Sequence, residues 1–312
     1  MTQSSTTHTN KSSAAKTYGT AETVQAPVYS RAERKARNAT RRSRLGMVIY
    51  LVLLLLPIYW LINMSFKTNT EILSGLSFFP EHFTLDNYAK IFGDPTWYMG
   101  YINSTLYVVM NMVISLLVAL PAAYAFSRYR FVGDKHMFFW LLSNRMAPPA
   151  VFLLPLFLMF TLWFRVGDWS LFDTRLGLVL LYCVFNLPFA FWLLQGIVDG
   201  IPRELDEAAY VDGASTFTVL TTIIFPLAKP GLAVTAILTW VFAWNEYLFA
   251  STLTSVDART ITTGLAEFVT VTGTNWGQLA AVAMLTLLPA ALVLALVQRH
   301  IVAGLTFGAV KG

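Results

Sequence analysis

The residues whose types and spacing suggest chemistry lie in one segment, Ile201-Pro-Arg-Glu-Leu-Asp-Glu-Ala-Ala-Tyr-Val-Asp-Gly213, followed by Ala-Ser-Thr-Phe-Thr-Val-Leu-Thr-Thr-Ile-Ile-Phe-Pro226. Acid–base catalysis at a membrane interface would need a cluster of carboxylates, and the acidic run within 199–212 is the one candidate. The same residues are better accounted for as two short helices built to dock. Pro202 suits a first helical position, Glu204, Asp206 and Glu207 sit near the positive end of the helix dipole, and Gly213 is placed to end the helix in a left-handed turn. Ser215 or Thr216 can cap the second helix, which Pro226 and Pro230 are expected to break. Ala208 and Ala209 leave one face smooth enough to enter a groove of another protein, where Glu207 can pair with a basic residue.

A second set of polar residues falls inside apolar blocks. Arg145 and Glu246 are the ionisable side chains well within them, and an intramembrane charge costs at least about 2.5–3.5 kcal/mol unless it is paired or reaches water. Both are expected to face the protein interior and either to pair or to line one polar cavity. Asn144, Asn186 and Asn245 lie near the same depth range, where they could face a translocation path for hydroxyl-bearing solutes. The alternative is that they tie neighbouring helices together, as asparagine does in membrane bundles. His8, His82, His136 and His300 are scattered with no pair at metal spacing, and Cys183 is the one cysteine, so no metal site and no internal disulfide is expected. No catalytic residue is assigned, since no turn frames a serine nucleophile.

These residues must be positioned by membrane helices. Hydrophobic residues make up 56% of the 312 and charged residues 12%, against about 25% charged in ordinary soluble domains. The apolar residues gather into blocks of about twenty, the length a helix needs to cross roughly 30 Å of hydrocarbon. Six spans are predicted, at about 46–64, 103–126, 137–164, 177–198, 230–252 and 279–301, giving an all-α membrane protein. Pro57, Pro121, Pro148, Pro149, Pro155, Pro188 and Pro289 fall within them; kinks there suit a moving pathway, and proline is also simply commoner in membrane helices.

Nine of the 22 lysines and arginines precede residue 46, and Arg128, Arg130 and Lys135 fill the short loop after the second span. Basic residues beside spans mark the cytoplasmic side, so the net charge of +5 signals topology and no nucleic-acid partner is expected. With an even span count, both termini are expected in the cytoplasm. Residues 1–45 are expected to form a disordered basic tail, with the first 30 rich in Ser, Thr and Ala, ahead of a six-span domain over 46–312. No apolar stretch precedes Met47, so no secretory signal is expected. Loops 65–102, 165–176 and 253–278 belong outside, and Phe78, Phe79, Pro80, Trp97 and Tyr98 mark the first as a folded cap.

Glu207-Ala208-Ala209, then Gly213, Ile223 and Pro226, resembles the EAA loop of the permease subunits of ATP-binding cassette importers, here within about 199–229. The chain departs from that pattern in having Phe225 where the family has leucine. Trp244-Asn245-Glu246 and the ending Gly304-Leu-Thr-Phe-Gly-Ala-Val-Lys-Gly312 are similar to the carbohydrate branch, of the maltose-permease second-subunit type, and the resemblance covers about residues 46–312. It implies a type I importer permease fold in a bacterial inner membrane. It also implies a second homologous permease subunit, two ATPase subunits that bind ATP and Mg, an extracytoplasmic solute-binding protein, and a sugar or polyol as solute. No cofactor is expected in this chain, and lipid surrounds it. An ion-coupled secondary transporter is the alternative class, and would need its own coupling-ion site beside broken helices.

The orientation is testable with single cysteines at Asn69 and Ser215 in a chain lacking Cys183. An impermeant thiol reagent added to whole cells is expected to label position 69 and not 215; the reverse pattern would invert the topology.

Overall fold

The computed structural model describes residues 31–270 and 273–308, with side chains described for all of these except 31–38, 144, 270 and 297–308. Helix α1 spans Arg31–Ser65. Residues up to Leu55 form one unit, in which the apolar side chains from Leu45 onward are exposed. Residues 31–45 are therefore helical, not disordered as the composition suggested. Arginine, lysine and alanine are good helix formers, and a helix already nucleated by an apolar span costs little to extend. Residues 1–30 lie outside the described residues.

The second unit begins at Leu56. Two short helices, α2 (Asn69–Ser74) and α3 (Asp86–Gly93), fold the loop after α1 into a cap, as its aromatic content implies. The buried Asn87 amide donates to the Ser65 and Lys67 carbonyls at 3.0 and 2.8 Å, and the Phe66 ring stacks on Phe83. Helix α4 (Pro95–Arg128) starts with Asp94 as cap, its carboxylate accepting from the Thr96 amide at 2.9 Å.

The third predicted span, 137–164, is not one helix. It divides into α5 (Asp134–Met146), a 3-10 turn over Pro149–Phe152, α6 (Leu153–Leu158) and a π turn over Met159–Trp163. The cause is the Pro148-Pro149 pair: neither has an N–H, and each pushes its predecessor out of the helical region. Ala147 and Pro148 accordingly take ψ of 138° and 126°. After a two-stranded hairpin, β1 (Arg165–Val166) with β2 (Trp169–Ser170), helix α7 covers Arg175–Asp199.

Helices α8 (Glu204–Val211) and α9 (Thr216–Val219) follow. The second of these is not ended by Pro226 and Pro230 as expected. It passes through a π turn over Leu220–Ile224 into α10 (Phe225–Trp244), which holds both prolines. The wider π ring lets Phe225 donate to the Leu220 carbonyl, and Pro226, in the first turn of α10, needs no donor of its own. The fifth predicted span, 230–252, also divides: α10 stops at Trp244 and α11 (Leu248–Leu253) restarts after Tyr247. Helix α12 (Ile261–Ala266), the hairpin β3 (Val269–Thr270) with β4 (Gly273–Thr274), and α13 (Trp276–Gly308) complete the chain. Among the described residues five helices are long and apolar enough to cross a membrane, and the broken 134–163 stretch occupies the place of the sixth.

The core is α4 laid along α7, with α10 packed against both and against α13. Small side chains permit the close approach: Ala119 and Ala123 of α4 and Ala190 of α7 are wholly buried in one cluster. Where α10 meets α7, a Cβ on Gly231 would collide with the Ile197 side chain. At the other end of the bundle, Asp173 holds two loops together. Its carboxylate accepts from the backbone amides of Ser255, Val256, Asp257 and Ala258 at 2.9–3.2 Å. Asp173 is also the one described non-glycine residue at positive φ, 53°, a strain of order 1–2 kcal/mol that these four bonds offset.

Partial burial of the Asp173 carboxyl acts to raise its pKa, but the four amide donors outweigh it and hold the group below the ordinary aspartate value. A depressed pKa contributes stability that is full above the unfolded-state value, near 3.8, and is lost as pH falls through the folded one. Asp173→Asn, which offers these amides one acceptor oxygen for two, is expected to cost about 1–3 kcal/mol at pH 7. Its deficit in thermal midpoint against wild type should shrink as the pH is lowered from 5 towards 3; a deficit constant with pH would contradict the assignment.

Candidate functional site: the α8–α9 turn and the cavity at the broken helices

Helix α8 ends as the sequence predicts. Gly213 has φ of +84°, its amide donates to the Tyr210 carbonyl at 3.0 Å, and the Ala214 amide reaches back to Ala209 at 2.9 Å. This pair of bonds is a Schellman closure, which satisfies carbonyls that the helix end would leave open. The Ser215 hydroxyl then accepts from the Thr218 amide at 3.2 Å and caps α9. Of the motif residues, Glu207, Ala208, Gly213 and Pro226 are exposed, while Ala209 and Ile223 are half-buried against the α4–α7–α10 core. Val211 and Phe217 stand out from the same turn at 88% and 74% exposure.

Asp206, one residue before Glu207 and about 100° round the helix from it, is the one buried residue of α8. It accepts from Nε of Arg128, the last residue of α4, at 2.5 Å. The rest of the guanidinium donates to the carbonyls of Val198 and Ile201 at 3.3 and 3.0 Å, so Arg128 also closes the C-terminal end of α7. Arg203 reciprocates by donating to the Ser127 carbonyl at 2.5 Å. Removing one partner from such a buried pair costs about 3–5 kcal/mol, because the other is left as an uncompensated charge. Sequence reasoning missed both residues. Arg128 reads there as a topology signal and Asp206 as a dipole-stabilising acid; the one available clue was the helical period, which turns Asp206 away from the Ala208 face.

The second set of residues converges where α5 and α10 are broken. Arg145, Asn186, Asn245 and Glu246, with Tyr182 and Phe242, line one cavity of about 330 Å³. Arg145 and Glu246 line one cavity, whose wall is otherwise largely apolar, and no ion pair joins them among the described residues. The Arg145 guanidinium sits 4.7 Å above the Phe242 ring instead. Both oxygens of Glu246 accept from the start of α11, at 2.7 Å from the Phe249 amide and 3.1 Å from Ala250. The Asn245 amide donates to the Val241 carbonyl at 2.8 Å and completes the end of α10. Asn186 is buried on α7; the Asn144 side chain lies outside the described ones.

A bundle of long apolar helices, with two stretches interrupted beside one cavity, is the architecture of a multi-span membrane protein. Residues 96–306 match the family described as "Binding-protein-dependent transport system inner membrane component", and the chain belongs to it. It is the permease subunit of a binding-protein-dependent ABC importer, a transport component and not an enzyme. The trehalose transport system permease protein SugB of Mycobacterium tuberculosis is 36% identical, over 83% of this chain and 93% of that protein. The diacetylchitobiose uptake system permease protein NgcG of Streptomyces coelicolor is 30% identical, over 88% and 91%. Among solved structures, a bacterial ABC transporter involved in the import of the acidic polysaccharide alginate superposes with a TM-score of 0.70 at 24% identity, covering 88% of this chain and 99% of that one. The fold is thus the type I importer permease fold.

The geometry gives Glu246 a structural duty in the cavity wall. Glu246→Ala is expected to lower stability by about 0.5–2 kcal/mol through loss of the α11 cap, with Glu246→Gln costing less, as read from the thermal midpoint of the detergent-solubilised complex. Equal midpoints for all three chains would show that the carboxylate does not hold α11.

Proposed function

We propose that this chain carries a sugar or polyol across a bacterial inner membrane as one half of a permease pair, with α8 as the element that couples it to ATP hydrolysis. The observation that carries the coupling role is the two-sidedness of α8–α9. One side is anchored through Asp206 and Ala209; the other presents Glu207, Ala208, Val211 and Phe217, all exposed among the described residues. Exposed apolar side chains, Val211 on α8 and Phe217 on α9, together with the exposed acid Glu207 on α8, fit a groove in a partner protein.

In this reading the partners are a second, homologous permease subunit, two ATPase subunits and an extracytoplasmic binding protein. ATP and Mg reside in the ATPases, and this chain holds neither. Both termini and the α8 turn lie in the cytoplasm, consistent with the basic residues before α1 and after α4. Glu207, Ala208, Ala209 and Gly213 shape the docking helix, while Ile223 and Pro226 set the passage into α10. The sugar or polyol assignment is supported by relatives whose names specify trehalose and diacetylchitobiose. It is supported too by the polar groups of the cavity, the amides of Asn186 and Asn245 and the hydroxyls of Tyr182 and Tyr247 beside Arg145 and Glu246. Asn144 is assigned to the same path from its sequence position alone. Glu246 already spends both oxygens on α11, which leaves it poorly suited to bind a coupling ion.

Gly213→Val tests the coupling role. No atom would meet the added Cβ, so its effect comes from the left-handed backbone, at about 1–2 kcal/mol, and not from a clash. The variant is expected to reach the membrane yet to recover less ATPase on purification and to lose the stimulation of ATP hydrolysis by loaded binding protein. Glu207→Ala should act in the same direction more weakly, since an exposed pair contributes about 1 kcal/mol or less. Normal assembly and wild-type stimulation in Gly213→Val would refute the coupling role of this turn.

A further inference from the structure

We propose that Arg128 and Asp206 are positioning residues that form the joint through which movement of α8 is passed to α4 and α7. The inference rests on the reading of α8 as the docking helix, and adds how that helix grips the membrane domain.

Asp206 is the one buried residue of α8, so whatever force the helix receives on its exposed side leaves it through few contacts. The Asp206 and Arg128 side chains are 5% and 7% exposed. Arg128 is placed to act on two spans at once: its backbone ends α4, while its guanidinium holds the Val198 and Ile201 carbonyls at the end of α7. The planar fork keeps these directions fixed relative to one another, which an ammonium on a flexible stem would not do. A second tie runs in parallel, from the Tyr210 hydroxyl to that of Tyr124 on α4 at 3.0 Å. Tyr210 is partly exposed, however, and its bond is between neutral groups, so the charged pair is the stiffer link.

The joint also has room to change. Arg128 engages Asp206 through Nε and Oδ2, and the other oxygen, Oδ1, is buried with no hydrogen-bond partner among the described residues. A buried carboxylate oxygen left unpaired is costly, and a small rotation of α8 that brought a second guanidinium N–H to Oδ1 would satisfy it. Nη2 uses one of its two hydrogens on the Ile201 carbonyl, and Nη1 serves the Val198 carbonyl and the Ser127 hydroxyl, so the second Nη2 hydrogen is the donor that could reach Oδ1. One guanidinium thus links the angle of α8, through Asp206, to the end of α7, through the Val198 and Ile201 carbonyls.

The test must separate transmission from mere stability. Arg128→Gln and Asp206→Asn singly each leave a buried group uncompensated and are expected to lower the yield of folded complex. The double variant Arg128→Gln/Asp206→Asn removes both charges together. It is expected to assemble with the ATPases in wild-type proportion and to melt within a few degrees of wild type. Reconstituted in proteoliposomes with loaded binding protein, its solute uptake and its stimulated ATP hydrolysis are both expected to fall at least tenfold, because both signals cross the joint. A purely stabilising pair predicts instead that the double variant recovers function along with stability. A fall of less than tenfold in either activity, or failure of the double variant to bind the ATPases, would overturn the proposal. Wild-type assembly and stimulation in Gly213→Val would instead fault the reading of α8 itself.

Discussion

Inside a bilayer no water is at hand to satisfy a backbone amide or carbonyl, and each one left open costs several kcal/mol. The interruptions in this bundle are therefore confined to places where protein groups replace the missing helical bonds. At the break after α10, the Asn245 amide takes the Val241 carbonyl, Glu246 takes two amides of α11, and the Thr262 hydroxyl donates to the Glu246 carbonyl at 2.8 Å. At the break after α5, the two prolines bring no donor that needs satisfying, and the Val151 amide closes on the Pro148 carbonyl at 3.1 Å. Both breaks open onto the cavity shared by Arg145 and Glu246, which is where irregular backbone can exist at membrane depth.

The same constraint shapes the α8 end of the molecule. Helices α4 and α7 finish with open carbonyls, and two arginines, Arg128 and Arg203, close them across the interface. Arg128 can be buried because Asp206 compensates its charge, and Asp206 belongs to the helix that presents Glu207 outward. Adjacent acids on one short helix thus differ, one buried and tying it to the spans, the other exposed. At the opposite end Asp173 does comparable work without a cation, drawing four amides of the 255–258 loop onto a single carboxylate.

Much of this was legible in the sequence, for definite reasons. Glu207-Ala-Ala, Gly213 and Ser215 encode local geometry, since a left-handed glycine and a hydroxyl cap act within four residues of themselves. The spans were legible as blocks, because hydrocarbon thickness sets their length. What was not legible depended on partners distant in the chain. The pairing of Arg128 with Asp206 joins residues 78 apart, and Asp173 reaches 82–85 residues ahead. The expected break of α9 at Pro226 failed because a π turn over Leu220–Ile224 absorbed the proline, with Val219 just before it and Ile224 at its end buried in the core cluster. The unity of the third span failed for the opposite reason: Pro148 and Pro149 were noted as kinks, while two adjacent prolines amount to a break.

The central claim is that the outward side of α8–α9 seats in an ATPase subunit. Cysteines placed singly at Val211 and Phe217 in a Cys183→Ser chain, with a control at Ser255, measure this directly when the assembled complex is treated with a short bifunctional thiol reagent. The account predicts products of permease and ATPase from 211 and 217, with yields that change when ATP is bound, and none from 255. A complex that hydrolyses ATP normally yet gives no such product from either position, with ATP or without it, would contradict it.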